Sequence, residues 1–148
     1  GKELNVIHAS QFLLELIKSE KLNIDVKKPP ATRITYHDSC NLGRHMGVYD
    51  EPRELLLSLP DVELLEMKKN REQAPCCGVS SWLGCDRSAK IEQVNIMNEA
   101  KGIGAEMLIT SCPKCLLHLS CAKKELKGKI DTPLSDLVVF TARSMGLI

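Results

Sequence analysis

Aromatic side chains make up only 3% of this 148-residue chain: Phe12, Tyr36, Tyr49, Trp82 and Phe140. So few rings argue against a base-stacking platform for nucleic acid. They also leave the core to Leu, Ile, Val and Met. A dominant charge of one sign is missing too. The formal net charge is +1, with Lys and Arg spread along the chain, so no basic patch for nucleic acid emerges. No apolar run approaches about 18 residues, so no stretch reads as a membrane span. There is no signal-peptide pattern, no internal repeat and no low-complexity stretch. The first residue is Gly1 rather than Met, the start expected of a fragment or a tag remnant.

Hydrophobic residues make up 43% of the chain, enough for one domain with a real core. Cysteine is in excess, with seven copies. An odd number suits a disulfide framework poorly, and a domain of this length needs no disulfide staples. Metal or redox use is the better reading. Five of the seven fall in an ordered pattern. Cys40 stands alone, 35 residues separate it from Cys76-Cys77-Gly78, and 34 more lead to Cys112-Pro113-Lys114-Cys115.

Periodicity predicts a helix over residues 5–20, with His8, Phe12, Leu13, Leu16 and Ile17 on one face and Ser10 as a cap for a shorter version. Residues 21–31 read as a connector broken by Pro29-Pro30. Thr32 to Tyr36 reads as a strand, followed by a polar loop from His37 to His45. Asp50 is the expected cap of a helix with Pro52 in its first turn, carrying Leu55, Leu56, Leu57 and Leu59 and stopped by Pro60. Val62 to Met67 alternates as a strand, and Lys68 to Ala74 is a loop. A long helix is expected from Ser88 to Lys101, with Ile91, Val94, Met97 and Ala100 buried and Gly102 ending it. Ala105 to Thr110 reads as a buried strand, Pro113 onward as a helix carrying Leu116, Leu117 and Leu119, and Leu134 to Met145 as a last helix. Alternating strands and helices predict a single α/β domain, a mainly parallel sheet flanked by helices. Each cysteine site follows a strand, so the cysteine loops gather at one sheet edge.

Zinc and iron–sulfur clusters both bind cysteine thiolate. Several thiolates within a few ångströms are tolerable only beside a metal. Cys112 and Cys115 fall at a helix start, where exposed N–H groups and the helix dipole are expected to lower thiol pKa values. Gly78 suits a backbone turning tightly beside a bulky site. Adjacent side chains point apart, so Cys76 and Cys77 reach different atoms of a multinuclear centre more readily than one tetrahedral zinc. That favours a cluster modestly.

His37 and His45 flank Cys40, and either could donate a hydrogen bond to a cluster sulfur or bind zinc. The plainer role for His37 is a strand-end residue bonded to backbone. Arg44 reads equally as a counter-charge to a cluster and as a solvated surface residue, and Trp82 as a packing residue. Cys85 and Cys121 lie outside the pattern and read as incidental thiols. Cys85 is the better outside candidate ligand, being close to Cys77 on the same loop.

Tyr36-His37-Asp38-Ser39-Cys40-Asn41-Leu42-Gly43-Arg44, Pro75-Cys76-Cys77-Gly78 and Cys112-Pro113-Lys114-Cys115, in this order and spacing, resemble the cysteine-rich CCG domain. That family includes subunits of heterodisulfide reductase and the iron–sulfur subunits of glycolate and lactate oxidation. The resemblance covers roughly Thr32 to Leu119, and implies an α/β domain with Cys40, Cys76, Cys77, Cys112 and Cys115 as ligands. In heterodisulfide reductase such domains hold non-cubane [4Fe–4S] clusters at which the disulfide of coenzyme M and coenzyme B is cleaved, and some copies hold zinc instead. Members usually carry two copies, often joined to a ferredoxin-like part. With one copy, this chain resembles half of such a site, most like the second copy. It departs from the family pattern at Ser39, where Pro is usual, and at Val79 to Trp82, where a glycine-rich run is common.

The resemblance implies partners such as a second CCG domain, a ferredoxin-like iron–sulfur domain or a flavoprotein, and a disulfide substrate. It also implies a cytoplasmic location, free or at the periphery of a membrane complex. Three readings stay open at this point. The first is an iron–sulfur redox module. The second is a zinc-binding or subunit-docking domain using the same residues. The third is a thiol–disulfide oxidoreductase built on the C-P-x-C of Cys112 to Cys115, which leaves Cys40, Cys76 and Cys77 unexplained.

Overall fold

The computed structural model describes residues 4–22, 29–78, 86–125 and 131–148. The first helix, α1 (Ala9–Lys18), is shorter than periodicity suggested. His8 caps it in place of Ser10: its Nδ1 accepts the Ser10 N–H at 3.1 Å, and Gln11 Oε1 accepts the His8 N–H at 3.0 Å. This is a capping box with histidine in the usual Ser/Thr position. The buried stripe is also rotated. Leu14 is buried and Phe12 is exposed, while Leu13 and Ile17 pack as expected. Two apolar stripes overlap in this helix, and its packing on later helices selects between them.

Strand β1 (Arg33–His37) is covered on both faces, as its β-branched and aromatic residues predict. A π-helical turn (Asn41–His45) occupies the expected polar loop. Helix α2 (Asp50–Leu57) carries Pro52 in its first turn, but Tyr49 rather than Asp50 is the cap residue. Asp50 instead pairs with Arg71. The helix ends before Pro60, whose ring disfavours helical backbone in the residue preceding it. Leu57 is exposed, whereas Leu55, Leu56 and Leu59 are buried.

Strand β2 is only Glu63–Leu64, tied to β1 by Glu63 N–H to Thr32 O and Leu65 N–H to Ile34 O, both 2.8 Å. Two bonds at about 1 kcal/mol each hold this edge less than burial of the three leucines beside it, at about 1.5–3 kcal/mol each.

Asp86 caps helix α3 (Arg87–Gly102) by accepting the Ala89 N–H at 2.7 Å. Its buried face is Ala89, Gln93, Ile96, Met97 and Ala100, with Ile91 exposed. Gly102 is the last helical residue, and Gly104, at φ +82°, makes the turn beyond it. Strand β3 (Met107–Thr110) and helix α4 (Pro113–Glu125) follow.

The expected last helix is two elements. Leu134–Asp136 forms strand β4, and α5 begins at Leu137 and ends at Ser144. Asp136 closes the strand and opens the helix, accepting the Val138 and Val139 N–H groups at 2.8 and 3.3 Å.

Among the described residues the sheet has four strands in the order β2-β1-β3-β4, all parallel. Ile34, Tyr36 and Ile109 face α1, α2 and α5, in a core with Leu55, Leu56, Leu137 and Phe140. On the opposite face Leu108 packs with Ile96, Met97 and Ala100 of α3 and Leu119 and Ala122 of α4. The result is the single α/β domain that the alternation of elements predicts. Chain direction across the sheet reverses between β1 and β3. That leaves a crevice at their carboxyl ends, the usual ligand position in open parallel sheets.

Among the described residues, no helix is long and apolar enough to cross a membrane.

Candidate metal centre

Cys40 follows β1, Cys76 and Cys77 follow the β2 segment, and Cys112 and Cys115 follow β3. Parallel strands carry all three loops to the same sheet edge. Cys77 and Cys115 have their sulfurs 3.0 Å apart, and both residues are buried. Cys40, Cys76 and Cys112 are half-buried.

Electrostatics links the remaining thiols to this pair. Burial, then the charges of Cys76 and Cys77, push the Cys40 thiol up, while Arg44 pulls it down. The hydrogen bond to Cys77, burial, and the charges of Cys77 and Cys112 push the Cys115 thiol up. The helix start was expected to lower it. Burial and crowding outweigh the dipole, which contributes only about 0.3–1 kcal/mol at an ordinary surface position. Cys40 and Cys115 are thereby held toward the protonated form, which a bound cation would displace.

Of the weaker candidates, His37 is buried and belongs to the group. One of its ring nitrogens and the sulfurs of Cys77 and Cys115 all lie within 4.8 Å of one another. Among the described residues His37 Nδ1 has no hydrogen-bond partner, so the plainer role of a backbone-bonded strand end is not met at that atom. His45 and Arg44 are exposed on the π-helical turn, and Cys121 is exposed on α4. Cys85 and Trp82 lie outside the described residues.

Several residues that hold the site were not singled out from sequence. Asp38 is buried two residues before Cys40. It receives Arg53 in bidentate fashion at 2.7 and 2.9 Å, and the Arg71 N–H at 2.7 Å. Arg53 also donates to Glu66 at 2.6 and 3.0 Å and to Tyr49 O at 2.8 Å, and sits 5.3 Å from the Tyr36 ring centroid. Burial opposes the arginine's charge, but its bonds to Asp38 and Glu66 prevail and raise its pKa. This one side chain ties the Cys40 loop to α2 and to the segment leading toward Cys76. An arginine one helical turn before the apolar Leu56 and Leu57 was the available signal.

Two further bonds hold the other loops. The Tyr36 hydroxyl lies 2.7 Å from Ser111 Oγ, just before Cys112. The Gln93 side-chain nitrogen is 3.2 Å from the Cys77 carbonyl and 3.2 Å from His118 Nδ1, bridging α3, the Cys77 loop and α4. Gly78 adopts φ +90°, and a Cβ there would lie 2.6 Å from Ala89 Cβ. Only glycine lets the chain turn this close to α3.

Three polar side chains of the central strands are buried near these cysteines. Thr35 Oγ1, His37 Nδ1 and Thr110 Oγ1 are buried without hydrogen-bond partners among the described residues. Each such atom costs about 1–3 kcal/mol if left so.

The family model described as the CCG cysteine-rich domain matches residues 34–120. The chain is 36% identical over 151 residues to a subunit of the dihydromethanophenazine:CoB–CoM heterodisulfide reductase of Methanosarcina barkeri, a match covering 99% of this chain and 36% of that protein. It is 39% identical over 124 residues to a subunit of the fumarate reductase (CoM/CoB) of Methanothermobacter marburgensis, covering 80% of this chain and 23% of that protein. It is 30% identical over 154 residues to the EtfAB:quinone oxidoreductase of Syntrophomonas wolfei, covering 98% of this chain and 21% of that protein. The chain thus spans roughly a third or less of the length of these relatives. With the family match running from β1 into α4, the chain belongs to the CCG cysteine-rich domain family.

Proposed function

We propose that this domain is a redox module of an iron–sulfur oxidoreductase, holding a [4Fe–4S] cluster on Cys40, Cys76, Cys77, Cys112 and Cys115. The observation that carries the reading is the gathering of thiols from three loops around the buried Cys77–Cys115 pair. The donor set fits such a group. Thiolate is the ligand iron–sulfur clusters take, and crowded thiols need cationic charge to ionise together.

When bound, the cluster supplies one-electron chemistry and iron with affinity for sulfur. The chain's own residues would do the rest. The five cysteines hold the metals, Arg53 and Gln93 fix their loops, and the buried Cys77 side keeps water away. Cys40, Cys76 and Cys112 stand on the more open side, where a disulfide substrate or an electron-transfer partner would approach. The names of the relatives, subunits of heterodisulfide and CoM/CoB-linked fumarate reductases among them, support a place in a larger redox assembly. We assign this chain one CCG unit of that assembly, its partners being a second CCG domain, a ferredoxin-like iron–sulfur domain or a flavoprotein.

A second reading has its own observation. His37, Cys77 and Cys115 form a compact trio of the donor types that structural zinc takes.

The deciding experiment is anaerobic purification followed by measurement of iron, acid-labile sulfide and zinc per chain. About four iron and four sulfide, lost in Cys76→Ser or Cys77→Ser, are expected. About one zinc without iron would replace this reading with the second, and no metal at all would sink both.

A further inference from the structure

We propose that His37 and Thr110 donate hydrogen bonds to the sulfur atoms of the group held by the five thiolates, and thereby raise its reduction potential. The proposal rests on the iron–sulfur reading above.

The two residues are register partners on the adjacent central strands β1 and β3, so their side chains stand together on one face of the sheet. That face also carries Leu108, which packs with Cys77 and Cys115. Both residues are 1% exposed. Among the described residues, His37 Nδ1 and Thr110 Oγ1 have no hydrogen-bond partner, nor has Thr35 Oγ1, one pleat down the same face of β1. Buried polar atoms in folded proteins are nearly always paired, so three on one strip, beneath converging thiols, mark the place of a missing acceptor.

The acceptor's chemistry follows from the donors. A hydroxyl and an imidazole N–H can both donate, and thiolate or sulfide sulfur only accepts. The sulfurs of Cys77 and Cys115 are within 4.8 Å of a His37 ring nitrogen. Ligation to metal would explain His37 alone. A threonine hydroxyl is a hard donor poorly matched to a thiolate-bound iron site, so donation is the one role the two residues can share. Hydrogen bonds to cluster sulfurs stabilise the reduced, more negative state and so raise the potential.

The test begins with iron and sulfide content of the wild-type chain, then potentiometric titration followed by electron paramagnetic resonance. Thr110→Val keeps the shape and removes the donor, while Thr110→Ser keeps the donor. His37→Leu removes the ring donor, and His37→Asn places an amide N–H near the same point. The expected result is a shift to more negative potential in Thr110→Val and His37→Leu, with Thr110→Ser and His37→Asn near wild type. An unchanged potential in Thr110→Val overturns the proposal while leaving the cluster reading intact. So does an iron–nitrogen shell in wild-type X-ray absorption that His37→Leu removes, because His37 is then a ligand. Absence of iron and sulfide from the wild type fails the underlying reading at the first step, and the proposal with it. Should His37→Leu not fold, the Thr110 pair decides, since valine and threonine are nearly isosteric.

Discussion

Cys77 and Cys115, 38 positions apart in sequence, bring their sulfurs to 3.0 Å in the buried floor of the crevice. Proximity and burial push the Cys115 thiol up, so less of it is thiolate at neutral pH, and the thiolate is the reactive form. In the reduced, metal-free chain, alkylation of Cys115 by iodoacetamide is expected to be slower than that of exposed Cys121 by about tenfold or more, since raising a thiol's pKa by one lowers its thiolate fraction about tenfold. Site-resolved mass spectrometry checks this, with rates converging in denaturant. Equal rates in the folded chain would show that the pair is open to solvent.

Arg53 spans Asp38 and Glu66, and removing it strands a buried carboxylate. Arg53→Leu is expected to destabilise the chain by about 3–5 kcal/mol, read as a lower urea midpoint at unchanged slope. Adding Asp38→Asn should recover part of the loss, because the uncompensated charge is then gone. A double variant no more stable than Arg53→Leu would mean that lost packing, not the stranded charge, is the cost.

Gly78 combines a left-handed backbone with a close approach to Ala89. Gly78→Ala is expected to cost about 1–3 kcal/mol from backbone strain alone, with impaired metal retention. Ala89→Gly should not restore it, because the new Cβ would still lie 2.8 Å from the Cα of residue 89. Thermal unfolding of the single and double variants measures both effects, and full rescue would refute the backbone account.

His8 caps α1 through an unprotonated Nδ1. Burial lowers its pKa, with Asp136 opposing. A base with a depressed folded-state pKa contributes stability above its unfolded value, near 6.5, and loses it as pH falls through the window below that value. The chain is therefore expected to lose stability on acidification from about pH 6.5. In His8→Asn, whose cap does not titrate in this range, that part of the loss should vanish. Denaturant midpoints at pH 7.5 and 5.5 test it, and identical pH dependence in both proteins would exclude the cap as the source.

Much of this architecture was legible because its signals are local. Thr32 to Tyr36 and Ala105 to Thr110 announce buried strands, and the cysteines follow them directly. Leu134 to Asp136 was hidden because three residues are too few to show a strand period, and their leucine runs on into the helical pattern of Leu137 and Phe140. The partners of Arg53 lie 13 and 15 positions away on other elements, and no spacing rule reaches that far. His37 and Thr110 become a pair only once the β1–β3 register is known. The Cys115 thiol was misjudged because the dipole is visible in sequence, whereas burial is not.

The β1–β3 pairing sets Ile34 beside Met107, and this has a consequence for synthesis. Cys40, Cys76 and Cys77 leave the ribosome before the strand that gathers them exists. At roughly 5–20 residues per second, Cys115 trails Cys40 by about 4 to 15 seconds. Until then the thiols that have emerged, Cys40 first and Cys76 and Cys77 later, lack the finished core. The order of the strands therefore makes assembly of the cysteine site a late event in synthesis.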